Sequence, residues 1–159
     1  MSNPAYLWLE DEGGAPIVGG SLVNGRVGAI ELKSLSHNLN IPIDGNTGRL
    51  TGTRVHAPIM VQKEFDKTTP LLYRALVSGA KLKSGIIKLY EISEAGREME
   101  YFNILLDNLK IVSITPDLYP GASTGTHLET IMLRYEIITW KHCNGNIVFK
   151  DSWNERMTA

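Results

Sequence analysis

Leu128-Glu129-Thr130-Ile131-Met132-Leu133-Arg134-Tyr135-Glu136-Ile137-Ile138-Thr139-Trp140 is the stretch whose reading decides the fold. Ile131, Leu133, Tyr135 and Ile137 fall on one parity, and Thr130, Met132, Arg134 and Glu136 on the other. Successive side chains of an extended chain point to opposite faces, so this alternation predicts a long strand with one face buried.

The same period recurs along the chain. Tyr6 to Glu10 places aromatic and aliphatic residues on opposite faces. Ala29 to Lys33 alternates cleanly, then Ser34 to His37 continues with its apolar position displaced by one, which predicts a bulge or a change of face. Val55, Ala57, Ile59 and Val61 share a parity, with Pro58 pushing that run toward an edge or a bulge. Further strands are expected at Ile86 to Ile92, Glu100 to Leu106, Leu109 to Ile114 and Asn146 to Trp153. Glu94-Ala95-Gly96 and Asn144-Gly145 sit at hairpin distance between neighbouring runs. One antiparallel sheet system, closed or sandwiched to hide its edges, follows.

A single short helix stands out. Thr69 is placed to cap its first amides, Pro70 fits the first turn and Gly79 the left-handed end, with Leu72, Ala75 and Leu76 forming the apolar stripe. Leu39 to Thr53 and Pro116 to Thr126 read as loops. No linker or repeat interrupts the chain, so residues 1–159 are read as one domain.

Composition removes several function classes. A chain of 159 residues with 43% hydrophobic and 21% charged residues can bury a real core. Its net charge of −1 lacks the basic excess of a nucleic-acid binder. One cysteine, Cys143, permits no intrachain disulfide. Met1 to Glu10 carries no Lys or Arg and no long apolar run, so neither a signal peptide nor a membrane anchor is expected there.

No reaction centre, cofactor site or metal site is legible. His37, His56, His127 and His142 share no zinc-like spacing. His127 and Glu129 lie two apart on a strand; ligand and acid–base readings stand beside a surface ion pair, which is the expectation. His142-Cys143 offers a thiol without a second motif. Gly45 to Thr53 lacks the Lys-Ser/Thr ending of a phosphate loop, and no Gly-x-Ser-x-Gly elbow occurs. Asp11-Glu12 reads as solvated turn charge, and Lys81, Lys83 and Lys88 as wet positions that discourage edge pairing. Trp8, Trp140 and Trp153 read as core or interface anchors.

Specific stretches then carry a resemblance. They are Tyr6-Leu7-Trp8-Leu9, His37-Asn38-Leu39, Asn46-Thr47-Gly48, Leu50-Thr51-Gly52-Thr53-Arg54 and Lys63-Glu64-Phe65-Asp66-Lys67 before Thr69-Pro70. Glu100-Tyr101-Phe102-Asn103, His127-Leu128-Glu129, Leu133-Arg134-Tyr135-Glu136, Ile138-Thr139-Trp140 and Asp151-Ser152-Trp153-Asn154 follow in order. Over essentially its whole length the chain resembles the Hcp (haemolysin-coregulated protein) family, the tail-tube proteins of bacterial type VI secretion, in its enterobacterial-type branch. The resemblance implies a mainly β fold: a β-barrel of two packed antiparallel sheets with one flanking α-helix over about residues 70–78. It further implies hexameric rings stacked into a tube, with spike proteins of the VgrG kind, a contractile sheath and small effectors as partners. Nucleic-acid binding and membrane insertion are not expected. The protein would start in the bacterial cytoplasm and leave it without a cleaved signal peptide. The chain ends six residues after Trp153, so no C-terminal toxin extension is expected.

Within that frame, Ser34 and Ser36 are expected to face the ring lumen and cargo, and Asn46, Thr47, Gly48, Leu50 and Thr51 to form a subunit-contacting loop. The alternatives are a stand-alone barrel binding a small molecule or peptide, and a hydrolase using His127 with Glu129 or His142 with Cys143.

Overall fold

Two long strands, both bent at the same level, organise the molecule. In this computed structural model residues 3–118 and 127–153 are described. They form β1 (Ala5–Glu10), β2 (Pro16–Ile17), β3 (Ile30–Leu32), β4 (Ser34–Ser36), β5 (Leu39–Asn40), β6 (Val55–His56) and β7 (Ile59–Glu64), then α1 (Thr69–Ser78). After the helix come β8 (Leu82–Ile92), β9 (Glu98–Asp117), β10 (Leu128–Arg134), β11 (Ile137–His142) and β12 (Ile147–Ser152). Of the expected loop at Pro116 to Thr126, residues 119–126 lie outside the described residues.

β9 is one strand of 20 residues where the sequence predicts two. Asn108, at φ 55, bends it without ending it. The run from Leu128 to Trp140, conversely, divides: β10 follows the second half of β9 and β11 the first half. Their junction, Tyr135-Glu136, faces Asn108. Glu136 N–H donates to the Asp107 carbonyl at 3.0 Å, and Asn108 Nδ2 donates to Glu136 Oε2 at 2.9 Å. The apolar phase slips there, so Ile138 is buried in place of the expected Ile137. Val55 is similarly out of phase, exposed while His56 is buried, because Pro58 separates β6 from β7.

The first layer holds β2, β1, β8 and the first half of β9, with β3 on β1 and β11 and β12 beyond β9. The second holds the rest of β9, then β10, β7 and β4. A second corner lies between β3 and β4, where Lys33 N–H donates to the Gln62 carbonyl at 2.7 Å. This is the phase slip predicted after Lys33. The ladder is not continuous around the circuit, so the barrel is an open one, two layers joined at two corners.

Leu7, Leu9, Ile30, Leu32, Ile59, Val61, Ile87, Leu106, Leu109, Ile131, Leu133 and Ile138 pack in the core. Each such side chain stabilises the fold by roughly 1.5–3 kcal/mol through burial. Gly85 on β8 leaves room for the side chains of Leu9 and Leu109: a Cβ there would sit 2.7 Å from a Leu109 methyl and 2.9 Å from one of Leu9. A second cluster of Tyr6, Ala29 and Tyr90 lies on the other face of β1, where Arg26 stacks over Tyr90 and pairs with Glu98.

α1 closes one end, burying Leu72 and Ala75 and stopping at Gly79, whose φ is 67. Thr69 is not its cap. Thr68 occupies the cap position without a side-chain cap bond, and Thr69 begins the helix. The Thr69 hydroxyl instead donates to Glu129 Oε1 at 2.9 Å. Lys63, pointing inward from β7, is 1% exposed and places Nζ 2.6 Å from Glu129 Oε1 and 2.9 Å from Asp66 Oδ1. A buried ion pair of this kind ties the helix start to the second layer. Replacing Lys63 with Met strands Glu129 in the interior, which should cost about 3–5 kcal/mol in urea unfolding. The double variant Lys63→Met/Glu129→Leu should regain most of that loss.

Candidate functional site

The structure dismantles the two side-chain pairs that carried a reaction reading. Glu129 is buried on Lys63 and Thr69, whereas His127 is exposed and packs edge-on against Phe65. The expected surface ion pair is therefore corrected: Glu129 pairs inward, and with a lysine. His142 Nδ1 donates to the Asn144 carbonyl at 2.9 Å, while the Cys143 thiol lies beside Glu100 and Asn103. Burial and the Glu100 charge push that thiol up, away from a reactive thiolate. Among the described residues no group of three or more His, Cys, Asp or Glu is placed to hold a metal. No helix among them is long and apolar enough to cross a membrane.

Ser34 and Ser36 lie on the outward face of β4, with Leu35 turned in. Ladder registers extend that face across four strands. Ser36 stands opposite Met60, Met60 opposite Met132, and Met132 opposite Ser113. Ser34, Gln62, Thr130 and Thr115 form the parallel row. Directly paired residues share a side of the sheet, so the second layer presents outward a face of Ser, Thr, Gln and Met. Charge enters only at its ends, with Glu64 and Asp117 at one and Lys110 and Arg134 at the other.

Leu39 to Thr53 is an ordered hairpin arm where the sequence reads as a loop. β5 pairs with β6, Ile43 bridges to Leu50, and Thr51 N–H donates to the Pro42 carbonyl at 2.9 Å. At the tip Asp44 Oδ1 accepts from Asn46 N–H at 2.7 Å and Thr47 N–H at 3.2 Å. Gly48, at φ 72, takes a left-handed turn that a side chain would strain. Asn46, Thr47, Gly48, Leu50 and Thr51 are all exposed. So are the arm's apolar residues: Ile43 is 62% and Leu50 67% exposed, alongside Leu39, Ile41 and Val55.

The base of the arm holds a network that sequence reasoning missed. Asp151 Oδ2 accepts from His56 Nε2 at 2.8 Å, His56 Nδ1 meets the Tyr135 hydroxyl, and that hydroxyl lies 2.9 Å from His37 Nε2. Arg54 grips Asp151 with two nitrogens, at 2.6 and 2.8 Å. Trp153 stacks on His56 and meets Tyr135 edge-on. Both legs of the arm are thus fastened to the β10–β11 corner and to β12. Burial pushes the Asp151 carboxyl up, but hydrogen bonds from Arg54 and His56 outweigh it and leave it below the ordinary value. Burial and the neighbouring Asp151 charge push the Tyr135 phenol far up, so it stays protonated. Burial also lowers His37, against the hydrogen bond to the Ala57 backbone.

An open two-layer β-barrel, with a projecting arm and an outer face charged at its ends alone, is the class that fold and surfaces define. A family model described as type VI secretion system effector, Hcp, matches residues 6–142. The major exported protein of Pseudomonas aeruginosa is 32% identical, over 96% of each chain. Hcp1 from the E. coli EAEC 042 pathovar superposes with a TM-score of 0.88 at 47% identity, over 96% of this chain and 99% of its own. The secreted protein Hcp3 of Pseudomonas aeruginosa gives 0.78 at 29% identity, over 97% and 100%. The chain belongs to the Hcp family of type VI secretion proteins.

Three titrations set an acid limit. Asp151, and Asp66 beside Thr68 and Lys63, have folded values below the 3.8 of an unperturbed carboxyl. Their contribution is complete above that value and is lost as pH falls through the folded ones. His37 titrates below its ordinary 6.5, so the unfolded chain takes up that proton first and stability already declines beneath about pH 6.5. Asp151→Asn should accordingly lower the urea midpoint at about pH 7 and narrow its gap to the wild type at about pH 3.

Proposed function

We propose that this chain is a tail-tube subunit, closing into hexameric rings that stack, with its work done by surfaces rather than by a catalytic centre. The observation that carries the reading is apolar exposure at two separate places. One is the arm. The other is β12, which among the described residues is an edge strand paired only with β11, where Ile147 is 70% and Phe149 65% exposed and Val148 lies between them. An unpaired apolar edge invites association. Two different patches on one subunit suit heterologous contacts, which form rings where the rotation between neighbours closes.

In this reading Asn46, Thr47, Gly48, Leu50 and Thr51 carry contacts to a neighbouring subunit. The outward face containing Ser34 and Ser36 lines the lumen. Small hydroxyl, amide and thioether groups without charge let an effector rest there and leave again. Spike proteins of the VgrG kind and a contractile sheath are the further partners. The subunit starts in the bacterial cytoplasm and is exported from it, in keeping with the exported Pseudomonas relative.

Light scattering after size exclusion tests assembly. Wild type should elute as a ring, and removing Gly45 to Gly52 should shift it to smaller species while the circular dichroism of the β layers is kept. A wild type that stays monomeric at high concentration overturns the reading and favours a stand-alone binding barrel. Ser36→Phe should leave rings intact and cut co-purification of a lumen effector severalfold; unchanged recovery removes this face from the lumen.

A further inference from the structure

We propose that Tyr135, set between His37 and His56, is the positioning residue of the arm, and that it holds the arm through a chain of hydrogen bonds that tolerates one added proton and releases at the second. The link to assembly rests on the subunit reading above; the latch itself does not.

Asp151 sets the direction of the chain. A carboxylate only accepts, so His56 Nε2 carries a hydrogen and donates to it at 2.8 Å. In a neutral His56 the other nitrogen, Nδ1, is then a lone pair, and it takes the Tyr135 hydroxyl hydrogen. The Tyr135 oxygen in turn accepts from His37 Nε2. With both imidazoles in the neutral form, all three bonds run toward Asp151. His37 lies ahead of β5, His56 within β6, and Tyr135 at the corner. One phenol therefore joins the two legs of the arm to the body.

A first added proton can be accommodated without losing a bond. The proton enters at His37 Nδ1, toward the Ala57 backbone; His37 Nε2 passes its hydrogen to the phenol oxygen and the phenol passes its own to His56 Nδ1, so that His56 now donates to Tyr135 and Tyr135 to His37. The chain has reversed direction and stays intact.

A second proton has no such place. Both rings then present N–H groups to one phenol oxygen, and the phenol's own hydrogen loses its acceptor. Two imidazolium charges also face each other across Tyr135. Asp151 is the carboxylate facing the chain, and it is already gripped by Arg54. Arg134, over the ring of Trp153, adds a further positive charge, and the Glu136 carboxylate is taken up by Asn108 and Lys81. The lowering of His37 by burial and by His56 agrees with this opposition.

Hydrogen–deuterium exchange of the full-length protein, corrected for intrinsic rate, reads the latch through peptides over residues 39–53, with residues 82–92 as internal reference. Between about pH 7.5 and about pH 5 the wild-type arm should lose roughly tenfold in protection while the reference holds, the scale of one charge-assisted hydrogen bond. Tyr135→Phe should exchange fast at both pH values. His37→Gln retains an uncharged donor and acceptor for the phenol, and should stay protected at both. A wild-type arm without a pH step, or a step of equal size in both variants, overturns the proposal. Loss of reference protection in Tyr135→Phe signals general unfolding, and His37→Gln then decides. Ring content measured on the same samples separates the two readings: an arm step without rings keeps the latch and removes the subunit role.

Discussion

The bend shared by β9 and the β10–β11 run is the constraint on which the rest depends. A flat strand of 20 residues has no way to bury its apolar face in both layers. Asn108 supplies the turn by entering the left-handed region, which costs a non-glycine residue about 1–3 kcal/mol. Its own side chain offsets part of that cost by bonding to Glu136. Across the bend the apolar phase slips by one residue. Tyr135, the last residue on the inward parity of Ile131 and Leu133 before that slip, lies at the corner against His56, His37 and Trp153.

Two polar clusters then attach the added elements to this frame. Lys63, Glu129 and Asp66 hold the start of α1 against the second layer. Asp151, Arg54, His56, Tyr135 and His37 hold the arm against the corner. An apolar contact would bury area with little preference for angle. Charge-assisted hydrogen bonds are directional, so these clusters fix where the helix and the arm point as well as that they attach.

In the proposed reading, function lies in the faces that are left uncovered. The inward faces of both layers are spent on the core. Among the described residues the second layer leaves open its face of Ser, Thr, Gln and Met, and the apolar arm and the outer edge of β12 are open as well. These surfaces lie on different elements of the chain, an arrangement suited to the repeating assembly proposed above.

Much of this was legible in the residues. Period two marked the strands, Asn144-Gly145 and Glu94-Ala95-Gly96 their hairpins, Pro70 and Gly79 the limits of the helix, and the displaced apolar position after Lys33 the second corner. Each depends only on neighbours in the chain, where backbone geometry acts directly. The motifs also showed the family, and they already contained His37, Arg54, Tyr135 and Asp151 without saying that these meet. The single β9, the break after Arg134, the inward Glu129 and the ordered arm were not legible. Each is settled by a partner tens of residues away: Glu136 for Asn108, Lys63 for Glu129, Asp151 for His56. Local spacing specifies which way a side chain points, and only the packed structure decides what it meets there.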